Sequence, residues 1–133
     1  MLAWQRLSSV DEAKPWFLRD SPGFALAPEL APRDDEAIID KITMSAFEGT
    51  PLDIVLRDCG VRAFMIAGVA TEVGIEPTVR HSTDLGYIPI VVQDACAGGD
   101  PTAADRAIAN IAFAGDALLA TTDDVCAVLG EGR

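Results

Sequence analysis

The sequence predicts an α/β fold in which a parallel, Rossmann-like sheet is covered by helices in a three-layer arrangement. Short apolar runs alternate with segments of helical periodicity, and glycine and proline residues mark the boundaries between them. Strands that alternate with helices are joined by right-handed crossovers, which place helices on both faces of a parallel sheet. With 133 residues and no internal repeat, the chain suits one domain with one core, residues 1–133.

The first 36 residues are predicted to be an irregular segment. Prolines recur through it and exclude a long helix. Aromatic side chains lie between the prolines, which favours a loop packed onto a surface over a free linker, and a partner subunit is an alternative contact for them. The prolines are Pro15, Pro22, Pro28 and Pro32, and the aromatic residues are Trp4, Trp16, Phe17 and Phe24.

The next elements lead up to the central strand. Residues 37–42 are predicted to form a short strand. Thr50, followed by Pro51, is predicted to cap a helix that ends at Gly60. Residues 64–69 are a continuous apolar run and are predicted to form a buried strand.

The remaining elements continue the alternation. A helix is predicted from Glu72 to Leu85, ending at Gly86, and is followed by a strand over residues 87–93 and a loop over 94–100. A helix over residues 102–113 ends at Gly115, residues 117–120 form the last strand, and Thr122 caps a final helix with Asp123 and Asp124 in its first turn.

The strand at 64–69 and the helix that follows it also predict where a site should lie. Ligands bind at the carboxyl ends of the strands in open α/β sheets. Backbone N–H groups at the start of a helix can stabilise an anion or a developing oxyanion. The turn around residues 70–74 is therefore the predicted site.

Composition limits the classes of partner. The net charge of −11 and a pI near 4.2 argue against nucleic-acid binding and against an anionic membrane surface. No apolar run approaches the roughly 18–20 residues of a membrane span, and the first residues lack the apolar core of a signal peptide. Three cysteines without pairing or metal-ligand spacing favour a reducing, cytoplasmic setting.

Several short motifs occur in a fixed order from about residue 21 onward. They are Pro28-Glu-Leu, Asp40-Lys41, Ser45-Ala-Phe-Glu-Gly-Thr50-Pro-Leu, Gly60-Val, Gly68-Val-Ala-Thr-Glu-Val-Gly74, Thr78, Asp84-Leu-Gly-Tyr87 and Val91-Val-Gln-Asp94-Ala. With this order and spacing the chain resembles the isochorismatase-like hydrolase family, also called the cysteine hydrolase family.

The resemblance implies a site built from a catalytic Asp, a Lys and a nucleophilic Cys, with a small molecule as substrate. Lys41 stands at the position of the family's lysine. The bond Val69–Ala70 is implied to be a cis peptide, and the amides of Ala70 and Gly74 are implied to form an oxyanion hole. Family members commonly form dimers or larger rings, so a homo-oligomer is expected.

The first departure from the family pattern is Gly74, which occupies the position of the nucleophilic cysteine. A glycine has no side chain that can attack a substrate, so thiol-based hydrolysis is not expected. Cys96 is either a displaced nucleophile or, as we favour, a small buried filler. True isochorismatases also carry glycine at this position and cleave a vinyl ether by acid–base chemistry, so Gly74 fits that reaction or no reaction.

The second departure is the absence of the family's first strand, which carries the catalytic Asp. Relative to the family the chain is N-terminally truncated, and the missing strand would lie between the strand near Ile38 and the one near Phe64. Either the chain is a fragment, or a partner subunit supplies the strand, or the sheet rearranges. We favour the first of these explanations.

Glu72 and Glu76 lie four residues apart at the start of the predicted helix. They complement the helix dipole, or else Glu72 supplies the acid that the absent Asp would have given. Asp40, beside Lys41, points to the opposite face of a strand and is a poor substitute.

Other polar residues were weighed for a site. Thr71, Ser45 and Phe47 are predicted to contribute to the substrate pocket, the last two at its mouth. His81, the single histidine, is predicted to be a helix-surface residue, and no ligand spacing predicts a metal or another cofactor. The pair at 98–99 is not a phosphate-binding loop, because no Lys-Ser/Thr follows it.

Two functions follow from these predictions. The first is a hydrolase of the family that acts without a cysteine nucleophile on a small carboxylate-bearing substrate, with Lys41 as the positive charge. This function requires a full-length form with the Asp, or a partner strand that carries one. The second is a catalytically inactive member kept for ligand binding or oligomerisation. The absent cysteine and Asp favour the second function, whereas Lys41 and the intact turn favour the first.

Overall fold

The computed structural model describes residues 8–12, 19 and 21–131. Trp4, Pro15, Trp16 and Phe17 lie outside these residues. The helices and strands are α1 (Leu52–Asp58), β1 (Ala63–Val69), a π-helical turn (Thr71–Ile75), α2 (Glu76–Asp84), β2 (Ile88–Ala97), α3 (Pro101–Ala114), β3 (Leu118–Ala120) and α4 (Thr122–Glu131). None of the helices within the described ranges combines the length and the apolar character needed to cross a membrane.

The chain separates into two compact units, Met1–Ile38 and Ile39–Arg133. In the first unit the regular elements among the described residues are two 3-10 turns, Val10–Glu12 and Pro28–Leu30. Pro28 begins the second turn, where its fixed φ is tolerated. The second unit contains the sheet and all the motifs from Asp40 onward.

The second unit is built on a three-stranded parallel sheet in the order β1-β2-β3. Met65 lies opposite Ile90, and Ile90 lies opposite Leu118 in the third strand. The α/β fold class with a parallel sheet is therefore confirmed. The register between β1 and β2 shifts between Ile66 and Gly68, so that Gly68 pairs with Cys96.

The core lies on one face of this sheet. Ile75, Val79, Val91 and Ile111 form one buried apolar cluster, to which β2, α2 and α3 each contribute. Ile75 and Val79 are four residues apart and therefore share one side of the helical segment. Burial of each such side chain contributes about 1.5–3 kcal/mol, so this cluster holds the helices that follow β1 and β2 against the sheet.

The other face of β1 is exposed. Side chains alternate along the strand between partly buried and exposed, and Met65 and Val69 belong to the exposed set. Ile88 and Leu118, on the same face of the neighbouring strands, are also exposed. A sheet face with this apolar content is normally covered.

Two predicted boundaries are wrong. Residues 37–42 do not form a strand. A strand requires backbone hydrogen bonds to a neighbouring strand, and in the sheet of the described residues β1 pairs only with β2. Strand β2 continues through Ala97 into the predicted loop, because Cys96 and Ala97 pair with Gly68 and Val69 after the register shift.

The predicted caps are mostly found with small shifts. Helix α1 begins at Leu52, whose amide donates to Thr50 Oγ1 over 3.3 Å, and Gly60 follows its end with a φ of +69°. The cap of α4 is Thr121 rather than Thr122. Thr121 Oγ1 accepts the Asp124 amide at 3.2 Å, and the Asp124 carboxylate accepts the Thr121 amide at 2.9 Å.

Candidate functional site

The turn at the carboxyl end of β1 is closed around one carbonyl oxygen. The Val69–Ala70 peptide bond is cis. The carbonyl of Ala70 accepts hydrogen bonds from the amides of Val73 at 3.2 Å, Gly74 at 2.8 Å and Ile75 at 3.2 Å. The bond from Ile75 spans five residues and makes the turn a π-helical one.

Gly74 lies inside this turn. The resemblance implied that its amide belongs to an oxyanion hole and that it stands at the position of the nucleophilic cysteine. Its amide already donates to Ala70, which opposes the oxyanion role implied for it, since an engaged N–H is not offered to a ligand. A Cβ added to Gly74 would meet a single neighbour, the Val69 carbonyl oxygen at 3.8 Å. The space for a side chain is therefore present, although glycine leaves it empty.

The carboxyl group of Glu72 lies beside the turn, and only one of its two oxygens has a hydrogen-bond partner among the described residues. Its Oε1 accepts the Gly99 amide at 3.0 Å, which brings the β2–α3 loop to the start of the helical segment. Its Oε2 is buried and has no hydrogen-bond partner among the described residues. A buried carboxyl oxygen without a donor is costly, so this atom is available to a hydrogen-bonding ligand.

Gly98 makes room for this carboxyl group. A Cβ at Gly98 would collide with Glu72 Oε2 and would lie 2.7 Å from the Cβ of Ala104. Sequence reasoning examined residues 98–99 only as a phosphate loop and missed this contact. The sequence did show a glycine in the loop predicted after the strand. Only the tertiary structure shows that this glycine makes room for Glu72.

Thr71, predicted to bind substrate, is 1% exposed, and its Oγ1 is buried without a hydrogen-bond partner in the part of the chain that is described. It is adjacent to Glu72, so two neighbouring side chains hold unpaired buried oxygens. Thr71 is enclosed by protein instead of lying on an open surface.

Lys41 is exposed, and its ammonium group is bonded within its own loop. Nζ donates to the carbonyl of Thr43 at 2.6 Å and to that of Met44 at 3.0 Å. The ion pairs found among the described residues do not include Lys41. Asp94 accepts from the amide and hydroxyl of Thr122 at 2.8 and 3.0 Å and thereby holds the start of α4.

Phe47 lies towards the amino end of β1, and Ser45 lies beside helix α2. The ring of Phe47 contacts the rings of Phe64, at the amino end of β1, and Tyr87, which precedes β2. Ser45 Oγ lies 2.9 Å from Nδ1 of His81 and accepts the Phe47 amide at 3.2 Å. His81 is accordingly half-buried, not a helix-surface residue, because this loop covers it.

The three cysteines are free and lie in different environments. Burial raises the pKa of the Cys96 thiol, and the Gly68 backbone only partly opposes that effect. Cys96 packs against the apolar cluster, as a small filler would. Cys59 and Cys126 are exposed, and no group of three possible metal-ligating residues was found within residues 8–12, 19 and 21–131.

The chain is similar to several characterised proteins. The isochorismatase domain model matches residues 2–124. The ureidoacrylate amidohydrolase RutB of Klebsiella pneumoniae subsp. pneumoniae is 37% identical over 84 residues, which cover 63% of this chain and 36% of that protein.

Solved structures agree with this similarity. An isochorismatase family protein from Desulfovibrio vulgaris superposes with a TM-score of 0.78 at 30% identity, over 87% of this chain and 62% of its own. A cysteine hydrolase from Pseudomonas syringae superposes with a TM-score of 0.79 at 28% identity, over 86% of this chain and 59% of its own. The chain thus spans about a third of the amidohydrolase and about three fifths of these two structures.

Proposed function

We propose, because the chain belongs to the isochorismatase domain family, that residues 1–133 act as a single hydrolase domain without a cysteine nucleophile. The proposed reaction is acid–base hydrolysis of a small carboxylate-bearing substrate, of the isochorismatase type. The observation that supports it best is the half-paired carboxyl group of Glu72. Its oxygen Oε2 is buried and has no hydrogen-bond partner among the described residues, which leaves it available to a substrate.

In this proposal Oε2 of Glu72 carries the proton that is transferred. The carboxylic acid protonates the vinyl carbon of the substrate, and water adds to the neighbouring carbon, which has become electron-poor. The added hydroxyl passes its proton to the leaving oxygen as the bond to that oxygen breaks, which gives a carbonyl compound and an alcohol. A proton of that water then returns to the carboxylate, so one water is consumed and Glu72 is regenerated. Such proton transfer typically contributes 10²–10⁴-fold to a rate, and it requires neither a metal nor another cofactor.

The remaining site residues have supporting roles in the proposal. Lys41 would bind the substrate carboxylate once its ammonium group leaves the carbonyls of Thr43 and Met44. The Ala70 amide, at the carboxyl end of β1, would stabilise developing negative charge. Thr71, which is buried next to Glu72 in the chain, would help to enclose the site.

The test is turnover by the purified chain on a panel of small carboxylates that carry vinyl-ether, amide or ureido groups, with products identified by mass spectrometry. Glu72→Gln is expected to lower kcat/KM by at least about 100-fold. The matched control is Glu76→Gln, four residues along the same helical segment and ion-paired with Arg80, which should stay within about twofold. Equal activity of Glu72→Gln and the wild type would exclude Glu72 as the acid.

A ligand-binding member without turnover is the second candidate. Two observations favour it: the Gly74 amide is engaged within the turn, and Lys41 is bonded to its own loop. Calorimetric binding of the same carboxylates without product formation would support this function. Loss of turnover in Lys41→Ala would support the hydrolase instead.

We further propose that the chain acts in the cytoplasm as a homo-oligomer and binds neither nucleic acid nor membranes. The charge of −11 is the reason for the last two expectations. The exposed apolar side chains on the second face of the sheet support self-association. Light scattering after size-exclusion chromatography measures the oligomeric state, and a monomer at micromolar concentration would contradict the proposal.

A further inference from the structure

The β2–α3 loop contacts the Glu72 carboxyl group through two consecutive glycines. The Gly99 amide donates to Oε1 over 3.0 Å. Gly98 lies against the other oxygen so closely that even a methyl group at this position would collide with Oε2. The position of the carboxyl group therefore depends on one hydrogen bond, from Gly99, and on the absence of a side chain at Gly98.

The steric requirement is specific to Gly98. A Cβ added to Gly99 would lie 3.7 Å from Oε1, which is an ordinary van der Waals contact. A Cβ added to Gly130 in α4 would meet nothing within 4 Å. Backbone conformation does not account for the glycine, because Gly98 is not among the glycines with positive φ.

We propose that Gly98 is a positioning residue, and that its missing side chain holds the Glu72 carboxyl group with Oε1 on the Gly99 amide and Oε2 unpaired. The role of this arrangement in hydrolysis depends on the proposed function, whereas the arrangement itself does not. A methyl group at position 98 would push the carboxyl group off the Gly99 amide and change the direction of Oε2.

The arrangement is tested by nuclear magnetic resonance, with the amide of residue 99 as the probe. In the wild type the Gly99 amide resonance should move as its carboxyl partner gains a proton at low pH, and Glu72→Gln should abolish this step. Gly98→Ala should reduce the step by more than half, while Gly99→Ala and Gly130→Ala should retain it. An unchanged step in Gly98→Ala would overturn the proposal.

A second variant separates this effect from loss of folding. The methyl group of Gly98→Ala would also press on the Cβ of Ala104 at 2.7 Å. The double variant Gly98→Ala/Ala104→Gly removes that contact and leaves the collision with Glu72. It should fold, as measured by circular dichroism, and still lack the pH step of residue 99. Recovery of the step would show that Ala104, not Glu72, explains the glycine.

Kinetic measurements then test whether the position of the Glu72 carboxyl group matters for turnover. With a substrate that the wild type turns over, Gly98→Ala should lower kcat at least tenfold, leave KM within about twofold and alter the acidic limb of the pH profile. Gly130→Ala should match the wild type. An unchanged kcat and pH profile would overturn the positioning role. If the wild type shows no turnover, the hydrolase proposal fails, and the amide step alone decides whether Gly98 positions Glu72.

Discussion

Oγ of Ser45 lies 2.9 Å from Nδ1 of His81, and this contact joins segments that are 36 residues apart in the chain. The same oxygen accepts the amide of Phe47, whose ring packs on Tyr87. The loop that contains Ser45 is thus anchored to helix α2 and to the amino-terminal end of the sheet.

Ser45→Ala is expected to destabilise the protein by about 1–2 kcal/mol, since it removes both hydrogen bonds of a buried hydroxyl group. Denaturant unfolding measures this change. Ser8→Ala removes an exposed hydroxyl that bonds to Glu12 and should stay within about 0.5 kcal/mol. A double-mutant cycle with His81→Ala should show coupling, and simple additivity would contradict the contact.

The second prediction compares a buried and an exposed residue of helix α3. Ile111 is fully buried, so Ile111→Ala should cost about 2–5 kcal/mol of unfolding free energy. Phe113 is 93% exposed, so Phe113→Ala should change it by less than about 0.5 kcal/mol. Thermal and denaturant unfolding of the two variants measure the difference, and equal effects would show that the helix is oriented otherwise.

A third prediction concerns the empty space beside Gly74. Gly74→Cys should fold with an unfolding free energy within about 0.5 kcal/mol of the wild type, because its Cβ would meet one atom at 3.8 Å and glycine is a poor helix former. Gly98→Cys adds the same side chain with its Cβ 2.7 Å from the Cβ of Ala104, which has no flexible side chain to move aside, and should be clearly destabilised. Melting temperatures measure both, and a reversed order would contradict the geometry.

Alkylation of the cysteines provides a fourth prediction. Cys59 and Cys126 are exposed, whereas burial raises the pKa of Cys96 and keeps its thiol protonated at neutral pH. Iodoacetamide at pH 7.5 should therefore modify the first two residues and spare Cys96, as read by peptide mass spectrometry. Urea should make all three reactive. If turnover is found, it should survive this treatment, and its loss would indicate a thiol mechanism.

A fifth prediction concerns acid stability. The Arg57 guanidinium, and to a lesser degree the Tyr87 hydroxyl at 2.8 Å, holds the pKa of Asp53 below its ordinary value of 3.8. Asp53 is thus charged more readily in the folded state, so its contribution is present above the unfolded pKa and is lost as pH falls through the folded value.

The measurement is the unfolding free energy as the pH is lowered from about 5 through the ordinary pKa of an aspartate to about 2. Asp53→Asn should lose less stability over this range than the wild type does. Tyr87→Phe removes the smaller contributor and should give an intermediate slope. Parallel curves for all three proteins would show that the Arg57 contact contributes nothing in solution.

The order and type of most elements in the second unit could be predicted from the sequence. The apolar run at residues 64–69 and the glycines that end helices, Gly60 and Gly115, are local signals, whereas the part of β2 from Asp94 to Ala97 was predicted as a loop. They act through backbone preference and side-chain periodicity, both of which are readable along the chain. The predicted strand at 37–42 failed because a strand depends on a partner that local sequence does not reveal.

Tertiary structure alone decided which residues meet at the turn after β1. Lys41 and Glu72 were both predicted site residues, but Lys41 bonds to its own loop and Glu72 bonds to Gly99, 27 residues away. The ring of Phe47 contacts Phe64 near the opposite end of the strand for the same reason. Contacts between distant segments depend on how the core brings helices and loops onto the sheet, so residue type could suggest these roles while only packing could assign them.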